Sequence, residues 1–449
     1  MTKNMTEGSP MKLILGFSIP LLVGYLFQQF YSIVDTIIVG KYLGIESLAA
    51  VGATGSVCFL TIGFCGGTCS GFAIPLAHKF GAGDYVGLRK FVANTIYLSL
   101  FFSVVITTVT AVLCRDILTW MRTPDNIINE SVDYLFIIFL GIPTVFLYNV
   151  AAGIIRSLGD SKTPVYFLLL SSFTNIALDL IFIMKFGMGV KGAAYATVIS
   201  QGISGIACVW YMIKKFEILR INGDEWKFES HMMGTLCKMG VPMGLQYSIT
   251  AIGGVVLQSA TNTLGSMAVA SITAGSRIAN ILGCPFEALG NTMATYGGQN
   301  VGAKRLDRIG VGLKECLKLG IGYSVGIFVI TLFTAKYMAL MFVDASELQV
   351  IENVKMYLYV NTGTYILLTF VNVVRFLIQG MGFSGFAVIA GALEMVGRAL
   401  VAFTFVPLFG FMGTILGNPM AWIFADFFLI PAYFHVMKVL KKRLDYSSI

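Results

Sequence analysis

Five carboxylates interrupt the long apolar stretches of this 449-residue chain: Asp35, Asp179, Glu287, Glu394 and Asp426. An acid inside hydrocarbon costs several kcal/mol on insertion scales, so such groups turn toward the interior of a helix bundle and serve ion or proton paths. Asn175 stands four residues before Asp179, which places both on one helical face about one turn apart. Asp35 and Asp179 each lie about five residues from one end of an apolar stretch, and Thr197 about six. At about 1.5 Å per residue, the three share one depth beneath the outer face of a membrane. Two carboxylates, an amide carbonyl and a hydroxyl make an oxygen-rich site that suits a hard cation such as sodium. The same two acids, desolvated and close together, would also favour a bound proton. Taken singly, Asn175 or Thr197 reads better as a helix-to-helix hydrogen bond than as part of an ion site.

A second group of polar residues falls in the C-terminal half: Gln246, Arg277, Glu287, Asn372, Glu394 and Arg398. These form a candidate polar or substrate site. Glu394 and Arg398 are four apart on one helix and can neutralise each other, which favours a structural ion pair over a substrate contact. Glu287 and Asp426 have no partner nearby in sequence; either could meet a cationic cargo or an interhelical partner, for instance Arg277. An enzyme would want a nucleophile and base, or a metal set, within these stretches. His78, His231 and His435 instead lie at their edges, far apart, and the chain has no Gly-Lys-Ser/Thr phosphate loop. The eight cysteines sit mostly in apolar stretches, where a thiol behaves as a small hydrophobe, so neither a disulfide framework nor a metal site is expected.

The elements that must hold these groups follow from composition. Hydrophobic residues make up 56% of the chain and charged residues 12%, against roughly a quarter charged in a soluble chain. Stretches of about 20 apolar residues recur, each long enough to span roughly 30 Å as a helix. The spans fall at roughly 13–40, 48–78, 91–114, 134–156, 164–184, 191–213, 236–262, 267–297, 315–335, 354–379, 386–408 and 413–437. The first runs well past a signal-peptide core and is expected to stay in the mature protein. Lys and Arg divide between alternate loops at roughly three to one, which places both termini in the cytoplasm. The net charge of +8 thus reads as topology, not as a nucleic-acid surface.

The spans fall into two halves. Residues 1–213 form one lobe of six helices and 236–449 the other, joined by a polar cytoplasmic linker at 214–235. Ile19-Pro20 matches Val241-Pro242, Leu43-Gly44 matches Leu264-Gly265, and Gly81-Ala82 matches Gly302-Ala303; Asn149, Arg156 and Gly159 match Asn372, Gln379 and Gly382. The spacing stays near 220 residues, which marks an internal repeat. Six helices separate equivalent points, so both halves enter the bilayer in the same direction, an arrangement suited to two lobes around a central cavity. Pro20 removes a backbone hydrogen bond in the first helix and offers either a bend or a static kink.

Pro20 followed by Val34-Asp35-Thr36 and Gly40, then Asn175, Asp179 and Thr197, with the Gly-Ala loops at 81–82 and 302–303 and Arg156 with Gly159, resembles the multidrug and toxic compound extrusion (MATE) transporters over nearly the whole chain. Helices 7 and 10 lack carboxylates, so the chain is more similar to the DNA-damage-inducible protein F-like branch than to the NorM-like branch. The resemblance implies an all-α polytopic protein of the bacterial cytoplasmic (inner) membrane, with twelve helices in two six-helix lobes in a V shape. It implies no enzyme activity and no cofactor beyond a coupling proton or sodium ion held at Asp35, Asn175, Asp179 and Thr197, with no other metal. It further implies antiport of small, often cationic, organic drugs or toxic metabolites by a monomer whose partners are its small-molecule substrate and membrane lipid, with no nucleic acid. Lipid-linked oligosaccharide or lipid flippases of related fold remain the alternative. The scarcity of basic residues within the spans argues for small-molecule export.

Overall fold

Lipid offers backbone amides and carbonyls no hydrogen-bond partner, so a spanning segment must satisfy them internally. Every apolar run is helical in the computed structural model, which describes residues 3–446; residues 1–2 and 447–449, the outermost ends of the two expected lobes, lie outside it. No strand occurs among the described residues. The N-terminal half supplies α1 (Pro10–Leu43), α2 (Ile45–Gly81), α3 (Tyr85–Val112), α4 (Cys114–Trp120), α5 (Ile128–Leu140), α6 (Ile142–Ser157), α7 (Lys162–Asp179) and α8 (Gly189–Lys215). The C-terminal half supplies α9 (Ser230–Asn262), α10 (Ser266–Gly302), α11 (Leu306–Ala339), α12 (Leu348–Gly363), α13 (Tyr365–Gly380), α14 (Gly385–Leu400), α15 (Val406–Phe409), α16 (Phe411–Ile415) and α17 (Gly417–Tyr446).

Among the described residues, ten helical segments are long and apolar enough to cross a membrane, and two bent pairs, α5–α6 at 43° and α12–α13 at 49°, bring the total to twelve when each pair counts as one span. Both bends have local causes. Pro143 sits in the first turn of α6 and cannot donate back to α5. Thr364, between α12 and α13, turns its hydroxyl onto the carbonyls of Val360 (2.8 Å) and Asn361 (3.0 Å) and so competes with the helical ladder.

The chain divides into two compact units. Among the described residues, the first holds Lys3, Asn4 and Val23–Gly244; the second joins Met5–Leu22 to the chain from Leu245 onward. Helix α1 therefore gives its start to the second unit and its remainder to the first, and α9 does the reverse. Pro20 and Pro242 each stand beside such a boundary. In the second unit the leading segment is tied down by polar contacts: Met5 N–H donates to Gln299 Oε1 (2.8 Å), Asn300 donates to the Met5 carbonyl (3.3 Å), and Arg308 to that of Gly8 (2.9 Å).

The internal repeat extends to the backbone itself. Left-handed residues pair at Gly44 and Gly265, Gly83 and Lys304, Gly159 and Gly382, and Gly189 and Gly410, again at about 220 residues. Gly44, at φ +88°, is the single residue between α1 and α2, a reversal that glycine makes at least cost. Two π-helical turns repeat as well, Leu180–Lys185 after α7 and Val401–Phe405 after α14.

The polar segment after α8 is folded against the first unit. Asn222 and Glu225 form a capping box on a short 3-10 turn, Gly223–Trp226. Arg89 on α3 grips Glu225 with two parallel bonds of 2.7 Å, Lys90 pairs with Glu229 at 2.9 Å, and Tyr97 Oη donates to the Trp226 carbonyl at 2.9 Å. The Arg89 guanidinium, reinforced by the Asn222 N–H, holds the Glu225 carboxyl down to about 2.

Candidate functional site

In the first unit, α1, α5, α7 and α8 converge on an apolar cluster of Ile38, Val39, Ile183 and Ala193, flanked by Val34, Tyr134 and Ile176. The polar candidates lie one turn from members of this cluster or from one another. Asp35 is three and four residues before Ile38 and Val39, Asp179 is four before Ile183 and four after Asn175, and Thr197 is four after Ala193, whose carbonyl it bonds at 3.1 Å. Helical periodicity therefore places all four on the faces that carry the cluster.

Asp35 and Asp179 lie within hydrogen-bonding reach of each other. Asp179 is fully buried and Asn175 nearly so, while Asp35 and Thr197 are half-buried. Asn175 Nδ2 lies 3.3 Å from Thr197 Oγ1. With its amide turned over, Asn175 donates to Asp179 Oδ2 at 3.3 Å and accepts from the Thr197 N–H at 3.3 Å. One oxygen of each acid, Asp35 Oδ1 and Asp179 Oδ1, is buried with no hydrogen-bond partner. Carboxylates have no donor of their own, so a direct Asp35–Asp179 bond requires one shared proton, and the two orphaned oxygens are acceptors open to a cation. A π turn starts directly after Asp179; such widened turns alter the register of the following backbone and recur at functional sites. Tyr134 packs against the same apolar cluster, and Tyr31 stands one turn before Asp35 on α1. The sequence held one signal for Tyr31, its place one turn before Asp35, and none for Tyr134, which only the packing of α5 brings in. Pro20 lies far down α1 from this point; the helix runs on through it without a break.

The second unit presents a different arrangement. Its counterparts of Asp35, Asp179 and Thr197 at the repeat spacing are Leu257, Leu400 and Asn418. Leu257 packs so closely on Gly417 that a Cβ there would stand 2.2 Å from Leu257 Cδ2. Asn418 turns instead to Tyr357 Oη (3.3 Å) and Asn361 Oδ1 (3.2 Å). The counterparts of the acid pair are thus two leucines, Leu257 packed on Gly417 and Leu400 exposed, and that of Thr197 belongs to a neutral hydrogen-bond network.

The expected C-terminal polar site is only partly assembled. Glu394 does sit near Arg398, at 3.8 Å, yet its principal partner is Arg375 on α13, which donates directly to Glu394 Oε1. Arg375 was absent from the sequence candidates: nothing in a helix-by-helix pattern reveals which residue of α13 faces α14. Thr250 donates to Glu394 Oε2 at 3.4 Å, and Gln246 accepts from Gln379 at 2.6 Å. Asn372 bonds the Leu368 carbonyl of its own helix at 3.1 Å. Arg277 and Glu287 are exposed on α10. The charged neighbour of Asp426 is Arg375 and not Arg277. All eight cysteines are free thiols, and no group of three His, Cys, Asp or Glu side chains able to hold a metal occurs among the described residues.

Comparison with known proteins agrees with the repeat. A MatE family model matches the chain twice, over residues 20–181 and 242–404. The chain is 30% identical over 352 residues to the probable multidrug resistance protein YoeA of Bacillus subtilis, covering 76% of this chain and 75% of that one. It is 23% identical over 358 residues to a FAD transporter of Shewanella oneidensis, covering 79% and 78%. In fold it is similar to the outward-facing structure of a multidrug resistance MATE family transporter, with a TM-score of 0.91 at 24% identity over 98% of this chain and 99% of the other.

Proposed function

This chain belongs to the MATE family of transporters, and from that membership we propose that it is a secondary antiporter, exporting small organic drugs or toxic metabolites in exchange for a proton or a sodium ion taken up at Asp35 and Asp179. The observation that supports this reading is the meeting of two acids from α1 and α7 on one apolar floor, each with a buried, unpartnered oxygen. A cation bound there neutralises charge that hydrocarbon disfavours, and Asn175 and Thr197 supply the remaining oxygens. A coupling ion shifts an equilibrium only by its differential affinity for two states. Helix α1 offers a means, because Asp35 lies on the part that belongs to the first unit while the part before Val23 belongs to the second. A change in how α1 presents Asp35 to Asp179 is then felt along a helix whose ladder lacks one bond at Pro20. Leu257 and Leu400, which stand where the repeat would put the two acids, argue against a second copy of this acid pair in the second unit.

The test is efflux from proteoliposomes with pH and sodium gradients imposed separately, using a cationic dye and, because of the Shewanella relative, FAD as cargo. Asp35→Asn and Asp179→Asn are expected to abolish gradient-driven efflux while leaving the purified protein monodisperse. Wild-type efflux from either variant overturns the assignment of the site; efflux of neither cargo under any gradient overturns antiport of these compounds.

A further inference from the structure

The mechanism above leaves unused a group of charged side chains buried midway along α13, α14 and α17. Arg375, Glu394, Arg398 and Asp426 are all within a tenth of complete burial. Glu394 is satisfied by Arg375, Arg398 and Thr250. Asp426 is not: both of its carboxylate oxygens are buried and lack a hydrogen-bond partner, and so does Nε of the neighbouring Arg375. An ionised carboxylate left bare in such surroundings costs several kcal/mol, so the site must supply it with a counter-ion.

We propose that Asp426 is a second proton-binding site, separate from the Asp35–Asp179 pair, and that its proton determines whether Asp426 or Glu394 pairs with Arg375. Arg375 from α13 is the charged group that acts on it directly; Glu394 from α14 bonds Arg375, Arg398 from α14 and Tyr247 on α9 act on Arg375, and Tyr357 on α12 acts on Arg398. A metal cation is excluded as the occupant by the adjacent guanidinium, which repels it. A proton carries no such penalty, because it neutralises the acid covalently and needs no cavity. With Asp426 protonated, two guanidiniums and one carboxylate leave the group at +1, and Glu394 keeps Arg375. When the proton leaves to water the group is neutral, and the new carboxylate can accept from the free Arg375 Nε–H, competing with Glu394 for that side chain. The exchange is a proton transfer only and needs no other reactant. It does not depend on the antiport reading, and its test uses no transport.

Infrared difference spectra across a pH titration of the purified protein carrying Asp35→Asn and Asp179→Asn are expected to retain one titrating C=O band at the high frequency of a carboxylic acid that accepts no hydrogen bond, set apart from the lower-frequency bands of the hydrated surface acids, and that band is expected to vanish when Asp426→Asn is added. A high-frequency band that persists with Asp426→Asn, or the absence of any titrating high-frequency band, overturns the proposal. Should the combined variant fail to fold, Trp422, one turn before Asp426, serves as a reporter in an otherwise unaltered site. With Trp120, Trp210 and Trp226 replaced by Phe, its fluorescence is expected to follow a single titration step. A flat profile over the same pH range overturns the proposal.

Discussion

Glu394→Gln is the sharpest test of the packing in the second unit. The substitution keeps the shape of a side chain that is 3% exposed and removes the charge between Arg375, 5% exposed, and Arg398, 9% exposed. Removing one member of a buried pair leaves an uncompensated charge and typically costs about 3–5 kcal/mol. Asp426 can turn onto Arg375 and offset part of that loss, so the full cost is expected only in an Asp426→Asn background. At about 2–4 °C per kcal/mol for a domain of this size, the combined variant should melt roughly 6–20 °C below Asp426→Asn alone. Adding Arg375→Gln should restore part of the loss, because the orphaned charge is then removed as well. Arg398→Gln should cost less than Arg375→Gln, since Arg398 stands 3.8 Å from Glu394 while Arg375 bonds it directly. The measurement is thermal unfolding in detergent, followed by near-ultraviolet circular dichroism. Equal melting points for Glu394→Gln and its parent, or no recovery with Arg375→Gln, would falsify the assignment of Arg375 as the partner of Glu394.

Other outcomes follow from the first unit. Asn175→Ala removes the amide between Asp179 and Thr197, a bond to a charged group worth about 1.5–3 kcal/mol; the ion concentration for half-maximal efflux should rise roughly tenfold to a hundredfold, with maximal efflux retained. Arg89→Gln should release the Asn222–Glu229 segment from α3 and speed cleavage there by added trypsin, with no change at other sites. Glu225 is held down to about 2 in the folded protein, against about 4.3 when free. The stabilisation from its ion pair is therefore complete above the free value and lost as pH falls toward 2, so pepsin cleavage of this segment should rise across that window, and rise less in Glu225→Gln. Gly240→Val should destabilise the first unit by about 1–3 kcal/mol through overpacking, because a Cβ there would stand 2.4 Å from the Phe72 ring and 2.9 Å from the Thr68 carbonyl. A melting point equal to wild type would refute that contact.

The sequence by itself determined what depends on local chemistry. Apolar length specified the spans, because a backbone in lipid must satisfy itself. Glycines and prolines marked the repeat, because Gly44, Gly159 and Gly265 occupy backbone angles that few other residues adopt. Lys304 hid one such position, since it takes the left-handed conformation where Gly83 stands in the other half. The approach of Asp35, Asn175, Asp179 and Thr197 could be argued from spacing, because depth along a helix is a count of residues. Rotation about the helix axis and the choice of neighbour are not countable in this way, and these the tertiary structure decided. It turned Arg375 onto Glu394, left Arg277 and Glu287 exposed, brought Tyr134 to the apolar cluster beside the acids, packed Leu257 on Gly417, and folded the polar linker onto α3. Each of those contacts joins residues on different helices, and its energy depends on packing that no single helix's sequence encodes.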